Sequence, residues 1–204
     1  MKTLSANLAL WPLLAGMLTL STQAGAEVSK EDLTYIGVNW TQLEFERILG
    51  HRKGTAYAGT LVLGTYITDY VKTEFRAGLG VSDDEINSST RTDAFGQQEY
   101  ISIGVEDYYS WYMGAQYPAT DYMTVFAQFG FTHMIGKVEY PDPDQPRRLP
   151  DDLTDSSFSM SYILGADIRI YGDFWGTLEY GRLHRDSITD IRTNQMSAGI
   201  KYEF

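Results

Sequence analysis

Acidic and basic side chains alternate with apolar ones in "VKTEFRAG" (71–78), where Lys72, Glu74 and Arg76 share one parity and Thr73, Phe75 and Ala77 the other. The arrangement returns with Asp167 and Arg169 in "GADIRIY", with Glu179 in "GTLEYGR", and with Lys201 and Glu203 in "SAGIKYEF". In a strand, period two places such residues on a single face. These eight comprise four of each sign, so one enclosed space could hold them as a neutral network. Charges taken out of bulk water need partners of this kind, because desolvation is costly for each ion.

Other chemistries find less support. Three histidines occur: His51 in "GHRKG", His133 in "FTHMIGK" and His184 in "RLHRDS". None has the neighbours of a nucleophile–base pair; Ser187 lies near His184, but in a loop with nothing to orient it. The absence of cysteine removes thiolate chemistry, disulfides and Cys-based metal sites. Asp83, Asp84, Glu85, Asp142, Asp144, Asp151 and Asp152 match no calcium-loop spacing and read as solvated loop carboxylates. No catalytic residue, metal or cofactor is expected, and the chain reads as a non-enzyme. A net charge of −11 argues against nucleic acid as a partner.

The elements that must position the charges are strands. Apolar–polar alternation recurs eight times, over roughly 33–43, 56–67, 71–81, 108–117, 123–134, 159–170, 174–184 and 194–204, with "YISIGV" (100–105) extending the fourth. Short connections, "TDY" (68–70), "PATDY" (118–122) and "YGD" (171–173), alternate with longer polar ones around 46–53, 82–99, 137–152 and 185–192. One parity carries Ile36, Val38, Trp40, Leu61, Leu63, Phe75, Leu79, Trp111, Phe129, Phe131, Leu164, Leu178, Ile200, Tyr202 and Phe204, and no charge. The charged parity carries a glycine in every strand: Gly37, Gly64, Gly78, Gly114, Gly130, Gly165, Gly181 and Gly199. A closed eight-strand barrel has an interior only just wide enough for side chains. Glycines there make room for Tyr35, Tyr66, Tyr112, Arg76 and Arg169. The apolar face then turns to lipid, and closure satisfies every backbone group.

Export fits this. "MKTLSANLALWPLLAGMLTLSTQAGAEV" has Lys2, an apolar run from Leu8 to Leu20 and a small-residue site at Ala24–Ala26, the layout of a signal peptide over 1–26 with a mature domain over 27–204. The apolar run is short for a helical span of about 20 residues. Tyr70, Tyr117, Tyr122, Tyr171, Phe174 and Trp175 collect at the short-turn end, as an interfacial girdle would.

The fold class read from these features is all-β, an eight-stranded antiparallel up-and-down transmembrane barrel. On "LVLGTYITDYVKTEFRAGLGV", "GTLEYGR" and the terminal "SAGIKYEF", the whole of 27–204 resembles the small OmpA/OmpX-type and "porin family" outer-membrane barrels of Gram-negative bacteria. Gly199, Ile200, Tyr202 and Phe204 match the family's terminal pattern, which the resemblance implies is read by the barrel-assembly machinery. It further implies an outer-membrane location and contact with lipid and lipopolysaccharide; a monomer is the default expectation, and no periplasmic peptidoglycan-binding domain is expected, since the chain stops at the barrel's end. Arg182, His184 and Arg185, with Arg52, Lys53, Arg147 and Arg148, fall on the expected outer side, where they are candidates for lipopolysaccharide phosphates. The function expected is structural or surface-facing, through partners of the 82–99 and 137–152 loops. A small gated pore is the alternative and a lipid A-modifying enzyme a third reading, although the enzyme's His-x-Ser pattern is missing around His133. A soluble lipocalin-like barrel stands outside these, on "GVNW" (37–40).

Overall fold

The computed structural model describes residues 29–48, 52–92, 98–139, 156–185 and 192–204. The expected signal segment, His51, Arg147, Arg148, Ser187 and most of the expected 137–152 connection lie outside the described residues. Among the described residues nine strands form: β1 (Thr34–Ile48), β2 (Arg52–Thr68), β3 (Val71–Ser82), β4 (Asp84–Thr92), β5 (Gln98–Thr120), β6 (Met123–Glu139), β7 (Ser156–Tyr171), β8 (Phe174–Arg185) and β9 (Arg192–Glu203). Neighbours pair antiparallel throughout, and β9 returns to β1 in register from Tyr35↔Glu203 to Glu46↔Arg192. β3 and β4 lie end to end along the same partner: β3 pairs Asp107–Ala115 of β5, and β4 pairs Gln98–Ile103. The nine strands are therefore eight staves of one closed barrel, as the alternation implied.

The break between β3 and β4 has a local cause. The Asp83 carboxylate crosses over Gly104 so closely that a Cβ there would fall 1.9 Å from its Oδ1. Asp84 Oδ2 accepts the Thr55 N–H at 2.8 Å, beyond the last β2–β3 pair, Tyr57↔Ser82. The connection expected around 46–53 is entered from both sides, by β1 as far as Ile48 and by β2 from Arg52, and the expected loop over 82–99 holds the ends of β3 and β5 and the whole of β4. Its Ser/Thr-rich sequence, "DEINSSTRT", has no apolar face to betray it.

Residues assigned to the apolar face stand outward: Ile36, Val38, Trp40, Leu61, Phe75, Leu79, Trp111, Phe129, Leu164, Leu178 and Ile200 are all exposed. A continuous belt of this kind is not sustained in water, whereas lipid accepts it. Tyr35, Tyr66, Tyr108 and Tyr112 fill the interior. Two of them lie across glycines: a Cβ on Gly64 would sit 2.2 Å from Tyr35 Cζ, and one on Gly78 2.1 Å from Tyr108 Cε1. Away from the short turns the interior turns apolar, with Leu43, Phe45, Ala56, Ala58, Ile103, Val105, Tyr108 and Leu183 in one buried cluster and Met134 against it.

Candidate functional site

Inside the short-turn half of the barrel, charges alternate in a single file. Lys30 Nζ lies 2.9 Å from Glu203, Glu203 3.2 Å from Lys201, and Lys201 2.6 Å from Asp167. Asp167 is 3.7 Å from Lys72, and Lys72 3.0 Å from Glu74. Arg76 then bridges Glu74 (through Nε at 2.9 Å) and Glu179 (2.7 Å). Phenols and amides take up remaining valences. Tyr35 donates to Glu74 at 2.5 Å, Tyr66 donates to Glu203 and accepts from Lys201 at 2.8 Å, Thr177 donates to Asp167 at 2.8 Å, and Asn39 donates to Glu179 at 3.3 Å. Rings cover the cations as well: Lys72 Nζ is 3.5 Å from the centre of Phe126 and the Arg76 guanidinium 5.1 Å from that of Tyr112.

Lys72, Glu74, Arg76, Asp167, Glu179, Lys201 and Glu203 are all buried in this file. Arg169 is not, which corrects its interior assignment. At the end of β7 the pairing with β8 slips between Arg169 and Tyr171, and Arg169 stands exposed on the rim, 4.7 Å from the Trp175 ring. Trp175 is corrected in the opposite sense: it is buried inside the mouth rather than placed in the girdle, whereas Tyr70, Tyr117, Tyr122, Tyr171 and Phe174 are exposed there. The fourth positive charge is Lys30, which precedes β1 and lies 4.0 Å over the Trp175 ring. Neutrality, four charges against four, survives with one member exchanged.

Lys30 is held by its own turn. Leu33 N–H closes onto the Lys30 carbonyl at 3.0 Å, with Asp32 at φ 67°, a conformation Asp tolerates better than most residues. Asp69, in the β2–β3 turn, accepts from the Ser29 hydroxyl at 2.9 Å, the Lys30 N–H at 2.6 Å and the Glu31 N–H at 3.3 Å. Those bonds, the Lys30 amide first, hold the Asp69 carboxyl below its usual range. Burial lowers the Lys30 ammonium, against the pull of Glu203. Sequence periodicity could not find Lys30, because it belongs to no strand.

Beyond Glu179 the interior carries hydroxyls: Thr41 lies between Thr60 (2.9 Å) and Ser197 (3.0 Å), and Thr132 between Ser110 (2.7 Å) and Ser161 (3.0 Å). The apolar cluster follows. At that level Arg182 stays on the outer wall, 5.2 Å from the Tyr162 ring, and Arg185 is exposed opposite Arg192. Arg192 was not among the expected residues. His184 is corrected: the β8–β9 register slips between Arg182 and His184, so Leu183 and His184 both turn inward and His184 is buried. His133 stands half-buried on the outward side of β6, paired with Tyr109 and Phe158. The two described histidines are therefore on opposite faces of the wall and form no dyad.

The terminal pattern lines the β9–β1 seam. Ile200, Tyr202 and Phe204 point outward. A Cβ on Gly199 would sit 2.0 Å from Asn39 Oδ1, so that glycine admits the side chain that reaches Glu179. Thr34 and Phe204 exchange both backbone hydrogen bonds, at 2.9 and 2.8 Å.

A closed antiparallel barrel with an apolar exterior and a charged, filled lumen is the architecture of a small outer-membrane protein. Residues 13–204 match the family of outer membrane protein beta-barrel domains, and the chain belongs to that family. Its home is accordingly the outer membrane of a Gram-negative bacterium. Among solved structures it is similar to Neisserial surface protein A (TM-score 0.58, 9% identity, covering 85% of this chain and 100% of that one). It is also similar to Ail, the attachment invasion locus protein of Yersinia pestis (0.55, 15%, 85% and 99%), and to OprG of Pseudomonas aeruginosa (0.50, 8%, 86% and 97%). No curated protein sequence matches it. At such identities these likenesses speak for the fold.

Proposed function

We propose that this protein is a non-catalytic, surface-facing outer-membrane barrel that works through what it presents outside the cell and not through what passes its lumen. The observation carrying this reading is the file from Lys30 to Glu179, in which every charge contacts the next and phenols, Trp175 and Phe126 occupy the remaining space. Small barrels filled in this way leave no aqueous channel. Arg182 and Arg185, joined by Arg192, are proposed contacts for lipopolysaccharide phosphates. The outer connections are proposed to meet a partner outside the cell, and the barrel is proposed to act as a monomer. Cleavage before Glu27 and reading of Gly199, Ile200, Tyr202 and Phe204 by the assembly machinery complete the proposed route to the membrane.

Planar-bilayer recording tests the central claim. The purified protein should give no large, steady conductance, and lipid A mass spectra should be the same with and without it. Steady porin-like channels would put the gated-pore reading first; a changed lipid A would put the enzyme first.

A further inference from the structure

We propose that the outer lipid boundary crosses this barrel at the level of Trp40 and Tyr57, and that the strands beyond it form a collar standing in water on its own apolar core. This boundary requires only an outer-membrane barrel, whatever the barrel presents outside. On β1 the two faces exchange character between Trp40 and Leu43. Below the exchange Ile36, Val38 and Trp40 point out and Gly37, Asn39 and Thr41 point in; above it Gln42, Glu44 and Glu46 point out and Leu43 and Phe45 point in. An apolar face outward suits lipid, and an apolar face inward suits water, so one strand that does both has passed from one solvent to the other.

Two further strands, β2 and β5, repeat the exchange. On β2, Leu61 and Leu63 point out, followed by Tyr57, Thr55 and Lys53, while inside Thr60 gives way to Ala58 and Ala56. On β5 the register with β6 slips between Val105 and Asp107. That irregularity sends Glu106 out to solvent and turns Val105 and Ile103 into the apolar cluster. Ion pairs decorate the outside above this level: Lys53 with Glu44 and, at 3.2 Å, with Glu46, and Lys137 with Asp83 at 3.2 Å. An independent sign is the stacked pair of Trp40 and Tyr57 at the exchange itself, with ring centres 5.9 Å apart. Aromatic rings of this kind collect at the headgroup level.

The chain lacks cysteine, so single-cysteine variants can report depth directly. Val38→Cys, Leu61→Cys and Phe129→Cys sample the lipid belt, and Glu44→Cys, Lys53→Cys and Glu106→Cys the collar. Each would carry a bimane label in phosphatidylcholine vesicles. Brominated acyl chains should quench the first three and spare the last three, which aqueous iodide should quench instead. Lipid quenching at 44 or 106 as strong as at 38 would overturn the boundary. The collar's separate core has its own test. Leu43→Ser should speed amide exchange by about tenfold or more in 42–46, 54–58 and 103–105 and leave 36–40 and 60–66 protected. Exchange that rises equally in both zones would overturn the claim of a distinct core.

Discussion

Lys30 Nζ lies 2.9 Å from Glu203 Oε1, so a residue ahead of the first strand is tied to the last residue of the closing strand across the seam that completes the barrel. The Lys30 end of the charge file differs from its middle. Lys30 has one carboxylate partner and partial access to solvent; Lys201 touches Asp167, Glu203 and the Tyr66 hydroxyl in full burial. Removing one member of a buried pair leaves an uncompensated charge, which costs about 3–5 kcal/mol. Lys201→Met should therefore lose about that much in urea unfolding from vesicles. Lys30→Met keeps Glu203 paired with Lys201 and leaves no charge without a partner, so it should lose less, about 1.5 kcal/mol, as for one charged hydrogen bond. Equal losses would mean that the file is not ordered as described.

Acid should free the segment that carries Lys30. The Asp69 carboxyl titrates below its ordinary range because three donors face it. With a folded value depressed relative to the unfolded one, the clamp is fully present above about pH 4, the ordinary aspartate value, and is lost as pH falls toward the folded value. Amide exchange at Lys30 and Glu31 should accelerate over that window, beyond the intrinsic trend. Asp69→Asn should remove the pH dependence. An unchanged profile in that variant would assign the transition to another group.

Charge on the outer wall should be tolerated according to depth. Leu164 points outward between Ala127 and Tyr180 near the middle of β7, and Leu164→Arg should cost about 2–4 kcal/mol in lipid. Glu106→Arg, at the exposed slip in β5, should stay within about 0.5 kcal/mol. Refolding stabilities that do not separate these two would refute the assignment of faces.

What could be read from the sequence follows from what lipid enforces. Ile36, Val38 and Trp40, or Phe129 and Phe131, declare their side because a lipid-facing strand must be apolar at every second position. Lys72, Glu74 and Arg76 declare the other side by the same rule. The rule fails where a strand leaves that setting. Arg169 keeps the interior parity but sits two residues before the "YGD" turn, where β7 reaches the rim, and parity alone does not separate rim from lumen. His184 follows a slip in register that a backbone can make without a glycine or proline to announce it. Lys30 joins the file through a turn and the Asp69 clamp, a contact between segments 39 residues apart. β4 ("DEINSSTRT") holds one apolar residue, Ile86, so its pairing to β5 leaves no apolar period to find.

The outcome for Phe204 separates packing from recognition. Its side chain is 62% exposed on the lipid side, beside Tyr202 at 6.1 Å between ring centres, and its backbone exchanges two hydrogen bonds with Thr34. Burial of a Phe in the interface is worth about 1.5–3 kcal/mol at most, and Phe204→Ser removes that while keeping the backbone bonds. Deletion of Phe204 removes both. In micelles, then, Phe204→Ser should refold with a modest loss and the deletion with a somewhat larger one. If the terminal aromatic is also read during assembly, both variants should fall far below these losses in cells, with unfolded chains collecting in the periplasm. Phe204→Tyr should restore outer-membrane levels, because an aromatic again stands at the end of the seam. Quantitative immunoblots of membrane and periplasmic fractions, set beside refolding yields, make the comparison. Normal outer-membrane levels for Phe204→Ser would show that the aromatic acts by packing alone.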